Sequence, residues 1–527
     1  MGLEINQDEI DKLEREPKMW ADTLEQLHTM IKVVSKEIRL GYLIPVDVAP
    51  LYNIALFCTH KKDGEGLWRL WRMVRHASWH RANSYDINRF ILPQYYAIRD
   101  LPNLRKYVAF LIGKYYFAHR DLKDAFRQLR LALRDRKFLG YTFFGKHYVD
   151  GRQAYGVASA GANCQEFALL IIWIMDNCKL PPALRKSIVV HIDDFTLAAT
   201  SAEAVRHMEL IFDALLEELG VAQSVNKKIE CCQRETCYGF HWKLDRQTVG
   251  IPEDKLVNLK LALQLIIQHR AVTARCIESI CGRLMHWSQL HKVSKSLCFS
   301  LLHHIYKHVR ETKVSPTAIV LLPQRIVRDL QMWLAHCDYI KEIPMQYIHK
   351  TPSINFYAAT DASSIAGGVS IGDEWISYNF RGDHKEWHIN VKEAHALIML
   401  LFNWRHKLQG RKVFVYIDNQ PLDYAMRRKW SPSQRMMPMI YEIALLMMEY
   451  RIAVWSEYVV SEHNKLADML SRNDLNGFRR CLLRFGVTAQ LHPIKFEYYT
   501  RIRMQFKPVD EDAEFAHFEK WFTSGKI

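Results

Sequence analysis

Two adjacent acids, Asp193 and Asp194, stand between two apolar, β-favouring runs at 187–190 and 195–199. Two strands joined that closely form a hairpin, with the acids at its tip and their side chains on opposite faces. One reading is a solvated Asp-Asp turn. The other is a charged site, because carboxylates embedded in an apolar hairpin need a cation or a metal nearby. A further acid, Asp121, ends the strand-like run that closes with Ala118-His119-Arg120, and the sequence turns helical soon after it. One acid from this strand and a pair from the hairpin could share two divalent cations. Such an arrangement drives in-line phosphoryl transfer.

A second set of acids lies later in the chain. Asp361 follows an apolar strand at 355–360, and Glu393 sits near the start of a helical stretch at 388–408. Asp418 ends a strand at 413–417, and Asp468 lies in Asn464-Lys465-Leu466-Ala467-Asp468, which opens a helix. Acids at strand ends and helix starts can converge at one sheet edge, where divalent cations would offset their repulsion. The other reading is four unrelated surface acids.

The chain has 527 residues, too many for one core and enough for about three to five packing units. At 49% hydrophobic and 24% charged residues, it is a globular chain and not a disordered one. Its formal net charge of +15 suits a polyanionic partner, nucleic acid or an acidic membrane surface. No apolar run reaches the roughly 18 residues of a spanning helix, so no transmembrane helix is expected, and no membrane partner is expected. The acidic start, MGLEINQDEI, lacks the basic-then-apolar order of a secretory signal, and Asn6 breaks the myristoylation pattern. The eleven cysteines are scattered, and the cluster Cys231, Cys232, Cys237 lacks the second half of a zinc site. Reduced thiols in a cytoplasmic or nuclear protein are the expectation.

Residues 1–48 read as a helical extension, with Leu24, Leu27, Ile31 and Val34 at helical spacing and Gly41 closing the pattern. From 121 to 245 strand-like and helical runs alternate, and 255–345 is mostly helical. After a break near Pro344 and Thr351-Pro352, the spacing predicts strands at 354–359, 366–371 and 374–380. A helix near 391–409, a strand at 412–417, a helix near 434–450 and a strand at 452–460 follow. Residues 474–527 are aromatic and basic, with no role legible in them.

Several of these segments together resemble a reverse transcriptase. Asp121 with Phe126, then 155–160 (Tyr-Gly-Val-Ala-Ser-Ala), then His191-Ile192-Asp193-Asp194 look like its motifs A, B and C. Leu219-Gly220 with Asn226, Lys227 and Lys228 looks like motif D, and Tyr238-Gly239-Phe240 like the primer-grip hairpin. Lys61-Lys62-Asp63-Gly64 and 71–76 resemble the fingers. Thr360-Asp361-Ala362-Ser363, Asn390-Val391-Lys392-Glu393, Ile417-Asp418-Asn419 and 464–468 resemble ribonuclease H, with the Asp-Glu-Asp-Asp order intact. Two departures stand out: His191 occupies a position where the family most often has Tyr, and Gly161 one where Pro is common.

The resemblance implies a multidomain α/β and α+β chain. A right-hand polymerase of fingers, palm and thumb would be followed by a connection and a ribonuclease H-like domain. The divisions would be 1–48, fingers and palm at 49–250, thumb and connection at 251–350, ribonuclease H at 351–473 and the tail at 474–527. It further implies Asp121, Asp193 and Asp194 as ligands of two Mg²⁺ or Mn²⁺ ions, with Asp361, Glu393, Asp418 and Asp468 as ligands of two more. Lys61 and Arg72, with Arg69 competing, would neutralise the triphosphate of a deoxynucleotide, beside Lys228. Phe126 would collide with a 2′-hydroxyl, and Tyr155 and Gly156 would flank the nascent base pair. His463 is a candidate for the loop His of ribonuclease H. The partners implied are an RNA template, a DNA primer and an RNA–DNA hybrid. Residues 71–78 and 388–393 are most similar to the DIRS order of retrotransposons, which implies an element-encoded recombinase or capsid-like protein on other chains. An alternative from a different class is a domesticated, non-catalytic nucleic-acid-binding scaffold.

Overall fold

A computed structural model of the protein describes residues 12–16, 18–61, 70–80, 82, 84–91, 97–291, 314–349, 354–429, 431, 433, 435–484 and 492–499. Backbone packing divides the chain into two units, Met1–Glu235 and Thr236–Ile527. The division falls ahead of the expected boundary at 250. The reason is pairing: Phe240–Lys243 pairs with Thr248–Gly250, which pairs in turn with Ile343–Pro344. That hairpin therefore belongs with the helices that follow it.

In the first unit the N-terminal segment is not a separate extension. Met19–Trp20 adds a parallel edge strand to Ala55–Lys61, which pairs antiparallel with Leu70–His76. The helix Leu24–Arg39 opens with a capping box, Thr23 and Gln26 each bonding the other's backbone N–H. Its buried face is Gln26, Met30, Val34 and Glu37, whereas Leu24 is 85% exposed. The apolar spacing predicted the helix but not its rotation. Glu37 is drawn inward by buried Arg75 and Arg127, which also bind Tyr141 and Asp150.

The sheet that carries the first acids has the strand order Ile229–Cys232, Tyr116–Asp121, Asp194–Ala199, Ile188–His191, all antiparallel neighbours. Helices Ala160–Ile174 and Ala202–Glu218 supply its core through Ala168, Ile171, Phe212 and Leu216 against Phe195 and Leu197. Phe195 and Phe212 are fully buried with ring centroids 5.0 Å apart. Truncating either to Ala would cost about 3–5 kcal/mol. Arg120 is 1% exposed in this core, held by Asp213 and Glu209 at 2.9 Å and by the Ile229 carbonyl. Its charge is tolerated because its donors are matched.

In the second unit, helices Glu253–His269, Ala274–Trp287 and Gln324–His336 bury Leu259, Leu263, Ile277, Leu284, Leu330 and Trp333. A short antiparallel pair, Ala271–Thr273 with Ile319–Leu321, joins them. Beyond it lies a six-stranded sheet in the order Ala453–Tyr458, Lys412–Ile417, Ile354–Ala362, Ala366–Ile371, Glu374–Asn379, His492–Pro493. The first three strands run parallel to one another, and the next two alternate. Helix Ile389–Asn403 packs against this sheet and against Met437–Glu449, which buries every residue from Val391 to Leu401. A helix covered on two sides needs no polar face there.

Part of the segment 474–527 completes this sheet. Leu475–Arg484 is a helix whose Phe478 and Leu482 pack on Leu470 and Trp375. His492–Pro493 extends the sheet beyond Glu374–Asn379, and Tyr499 is 2% exposed. No helix among the described residues is long and apolar enough to cross a membrane. Their ten cysteines are free, and the Cys231 and Cys232 thiols donate to the carbonyls of Ala202 and Phe117.

Two candidate carboxylate centres

The pairing of Tyr116–Asp121 with Asp194–Ala199 sets Asp121 directly opposite Asp194. His191 pairs with Asp194, so Ile192 and Asp193 are the two turn residues. Ile192 sits at φ +63°, a left-handed conformation that a β-branched residue adopts only under constraint. The constraint comes from helix Ala160–Ile174: the Ile192 N–H donates to buried Gln165 Oε1 at 2.7 Å, and Cys164 Sγ reaches the Ile192 carbonyl. The Leu122 N–H, donating to the Asp193 carbonyl at 3.0 Å, ties the turn to the neighbouring strand.

The three acids hold more negative charge than their surroundings neutralise. Burial, then the charges of Asp194 and Asp121, push the Asp193 carboxyl up to about 6. Burial also raises Asp121, with Asp194 adding to it and Lys227 opposing. Asp194 goes the other way: burial raises it, but the His119 hydrogen bond and charge outweigh that and leave it below the usual range. His119 Nε2 is 3.3 Å from Asp194 Oδ1, and Lys227 Nζ is 2.7 Å from Asp121 Oδ2. That ammonium stands where a cation is wanted, so the donor set suits divalent metal.

The neighbouring residues fall as follows. Phe126 lies on a single helical turn, Ala125–Gln128, and meets Tyr155 edge-on at 5.1 Å. Burial pushes the Tyr155 hydroxyl up to about 12. Gly156 has φ +85°, and a Cβ there would come 3.0 Å from the Arg75 carbonyl, so only glycine lets this loop approach. Gly161, in the helix that anchors the turn, faces Ile98. Lys61 ends one strand of the hairpin that carries exposed Arg72, which pairs with Thr59. Residues 62–69, including Arg69, lie outside the described residues.

Lys228 does not reach these acids. Its Nζ binds Asp213 at 2.8 Å and Glu230 at 3.1 Å, and its neighbour Lys227 faces Asp121 instead. Adjacent lysines point apart here, and spacing alone did not say which faces inward. Lys227, His119 and Gln165 were therefore missed as site residues. His119 was readable, since it lies two residues before Asp121 on one strand and so shares its face.

The second centre lies at the C-terminal ends of two inner parallel strands of the six-stranded sheet. Asp361 is on the central strand, Asp418 follows the adjacent parallel strand, and Glu393 comes from helix Ile389–Asn403. Oxygens of these three residues lie within 4.8 Å of one another. Burial and the neighbouring acids push Glu393 up to about 9. Asp361 rises to about 7 through burial and the Asp418 and Asp468 charges, although the Ser471 hydroxyl donates to it. Glu393 Oε2 and Asp418 Oδ1 are buried without a hydrogen-bond partner. Orphaned oxygens converging at that spacing fit hard divalent cations.

Asp468 stands outside that tight trio and accepts from Arg472 at 2.7 Å. Its helix, Lys465–Ser471, is fastened to the sheet by Asn464 donating to the Thr360 carbonyl and Ser363 donating to the Ser471 carbonyl. Gly368 makes the contact close enough: a Cβ there would meet the Ala467 carbonyl at 2.5 Å. His463 is exposed in the turn before this helix.

Residues 351–450 match the family described as the RNase H-like domain found in reverse transcriptase. This stretch is similar to that RNase H-like domain. It carries Asp361, Glu393 and Asp418 of the four acids. No curated protein matches the chain. Among solved structures, a foamy viral protease-reverse transcriptase in complex with double-stranded DNA (the dRH form) has 16% identity and a TM-score of 0.47, with 87% of this chain and 75% of that one covered. The foamy viral protease-reverse transcriptase with an RNA/DNA hybrid gives the same identity and score over 87% of this chain and 56% of that one. Another complex with double-stranded DNA has 17% identity and a TM-score of 0.45, over 85% and 86%.

Proposed function

We propose that this chain is a retrotransposon reverse transcriptase, an RNA- and DNA-templated DNA polymerase with ribonuclease H activity. The observation that carries the reading is one chain holding two separate carboxylate centres, the second inside an RNase H-like domain. Each centre concentrates buried and half-buried acids whose charge the fold leaves unbalanced. A scaffold that only binds nucleic acid has no use for that repulsion. The sheet that carries the polymerase centre would be the palm, the strand pair Ala55–Lys61 and Leu70–His76 would belong to the fingers, and the 253–287 helices would be the thumb. Residues 71–78 and 388–393 favour an element of the DIRS order.

Asp121, Asp193 and Asp194 would hold Mg²⁺ or Mn²⁺ at the polymerase centre. Asp361, Glu393 and Asp418, with Asp468, would hold it at the nuclease centre. Bound there, such ions supply charge neutralisation and Lewis acidity for phosphoryl transfer. The chain's own residues do the rest. Arg72 and Lys61 bind the triphosphate of the incoming deoxynucleotide, and Lys227 adds a cation beside Asp121. Phe126, propped by Tyr155, excludes a 2′-hydroxyl. Gly156 lets the backbone approach the nascent base pair. At the nuclease centre, Ser471 orients Asp361, and the sheet contacts of Asn464 and Ser363 hold the Asp468 helix in place. The basic chain follows the hybrid by its backbone and shape and not by its sequence.

Separable variants test this reading. With labelled RNA template and labelled DNA primer in one reaction, Asp418→Asn should keep extension and lose RNA cutting, and Asp193→Asn should do the reverse. If both variants lose both activities while folded, the two-centre assignment is wrong.

A further inference from the structure

The register that sets Asp121 opposite Asp194 also sets His119 opposite Thr196. All four side chains share one face of the strand pair, because residues two apart point the same way. His119 uses both ring nitrogens: Nε2 is 3.3 Å from Asp194 Oδ1 and Nδ1 is 3.3 Å from Thr196 Oγ1. Thr196 is fully buried, and its hydroxyl also contacts the Tyr107 hydroxyl, which comes from helix Leu104–Leu111. Tyr107 and His119 are themselves buried.

Nε2–H donates to ionised Asp194 in either charge state of the ring. In the neutral ring Nδ1 accepts from the Thr196 hydroxyl, which in turn accepts from Tyr107. The Thr196 donation fixes the imidazole tautomer that offers its proton to the carboxylate. Histidine and hydroxyl partners behind a ligand oxygen set its orientation and its basicity.

We propose that His119, backed by Thr196 and Tyr107, is the positioning residue that aims the Asp194 carboxylate into the polymerase centre. The proposal rests on the polymerase reading above. Asp194 follows the turn that Ile192 strains, so the strand alone leaves its carboxylate free to rotate. The relay holds one oxygen from the side of the sheet, and the other would be left for a cation.

The test is Mn²⁺ binding, followed by electron paramagnetic resonance on the full chain with RNA–DNA primer-template bound. Glu393→Gln and Asp418→Asn silence the nuclease centre in that background. His119→Ala should weaken Mn²⁺ binding at least about tenfold. His119→Gln, which keeps an N–H donor, should recover most of it, and Thr196→Val should fall between. With the nuclease acids intact, His119→Ala should need correspondingly more Mg²⁺ for half-maximal extension and should cut RNA like the parent. A parent-like thermal transition shows that each variant folds; should His119→Ala fail to fold, His119→Gln and Thr196→Val decide. Parent-like metal dependence in His119→Ala, or in Thr196→Val if that decides, overturns the proposal alone. A parent that binds no Mn²⁺ in this background and extends no primer overturns the polymerase reading, and the proposal with it.

Discussion

Lys227 and Lys228 are neighbours with different partners: Lys227 Nζ lies 2.7 Å from Asp121, while Lys228 Nζ lies 2.8 Å from Asp213. The Lys227 side chain is 65% exposed, so solvent screens its bond to Asp121 to about 1 kcal/mol or less, which is up to about fivefold in a rate it supports. Lys227→Met should therefore slow primer extension by about three- to fivefold. Lys228→Met removes partly exposed ion pairs and should change the rate less than about threefold, with a stability cost below about 1 kcal/mol. Single-turnover extension and thermal melts on the two variants distinguish them.

The Asp361, Glu393 and Asp418 cluster gives metal-free protein a characteristic pH dependence. Glu393 and Asp361 are raised in the folded chain to about 9 and about 7, above their ordinary values of 4.5 and 3.8. The folded state then holds more protons than the unfolded state between those limits. Stability from these groups is fully present below about pH 4 and is lost as pH rises through 7 and 9. Melts in chelator should show falling stability from pH 5 to pH 9, and saturating Mg²⁺ should flatten that slope. Asp418→Asn should flatten it too, because it removes one of the repelling charges.

Gly368 sets how closely the Asp468 helix approaches the sheet. A Cβ at that position would lie 2.5 Å from the Ala467 carbonyl and 2.6 Å from the Ser471 nitrogen. Backbone on both sides cannot give way cheaply, so Gly368→Ala should cost about 1–3 kcal/mol. It should also cut RNA cleavage sharply while leaving DNA synthesis intact. Melts together with the two-label assay check both.

The C-terminal segment belongs to the fold of the six-stranded sheet. The ring of its Phe478 lies tilted against Trp375 with centroids 5.3 Å apart, and Tyr499 donates to Glu442. A chain ending at Asn473 loses both contacts, and each large side chain contributes about 1.5–3 kcal/mol through burial. Faster proteolysis within 354–473 and a lower melting temperature are expected, with RNA cutting affected before DNA synthesis.

Much of this was legible in the sequence because the signals were local. The strand runs at 366–371 and 412–417 are found as read, since alternation and turn residues mark their ends. The acid hairpin was legible because two apolar runs leave room for little else. The unreadable parts depend on long-range partners. The helix at Leu24–Arg39 buries Glu37 only because Arg75 and Arg127 arrive from elsewhere. Leu261 fits the apolar spacing of its helix, yet it is 53% exposed. The strand His492–Pro493 is two residues long and exists only because Glu374–Asn379 offers an edge. The choice between Lys227 and Lys228 depends on side-chain direction, which composition does not encode.

The central claim is that the Asp121, Asp193 and Asp194 centre makes DNA on a template. The most direct measurement is primer extension by the full chain along an RNA template with deoxynucleotides and Mg²⁺, beside Asp121→Asn and Asp193→Asn. The account predicts template-length DNA from the parent and none from either folded variant. A folded parent that binds the hybrid yet extends nothing under Mg²⁺ or Mn²⁺ would contradict it and favour a nucleic-acid-binding scaffold.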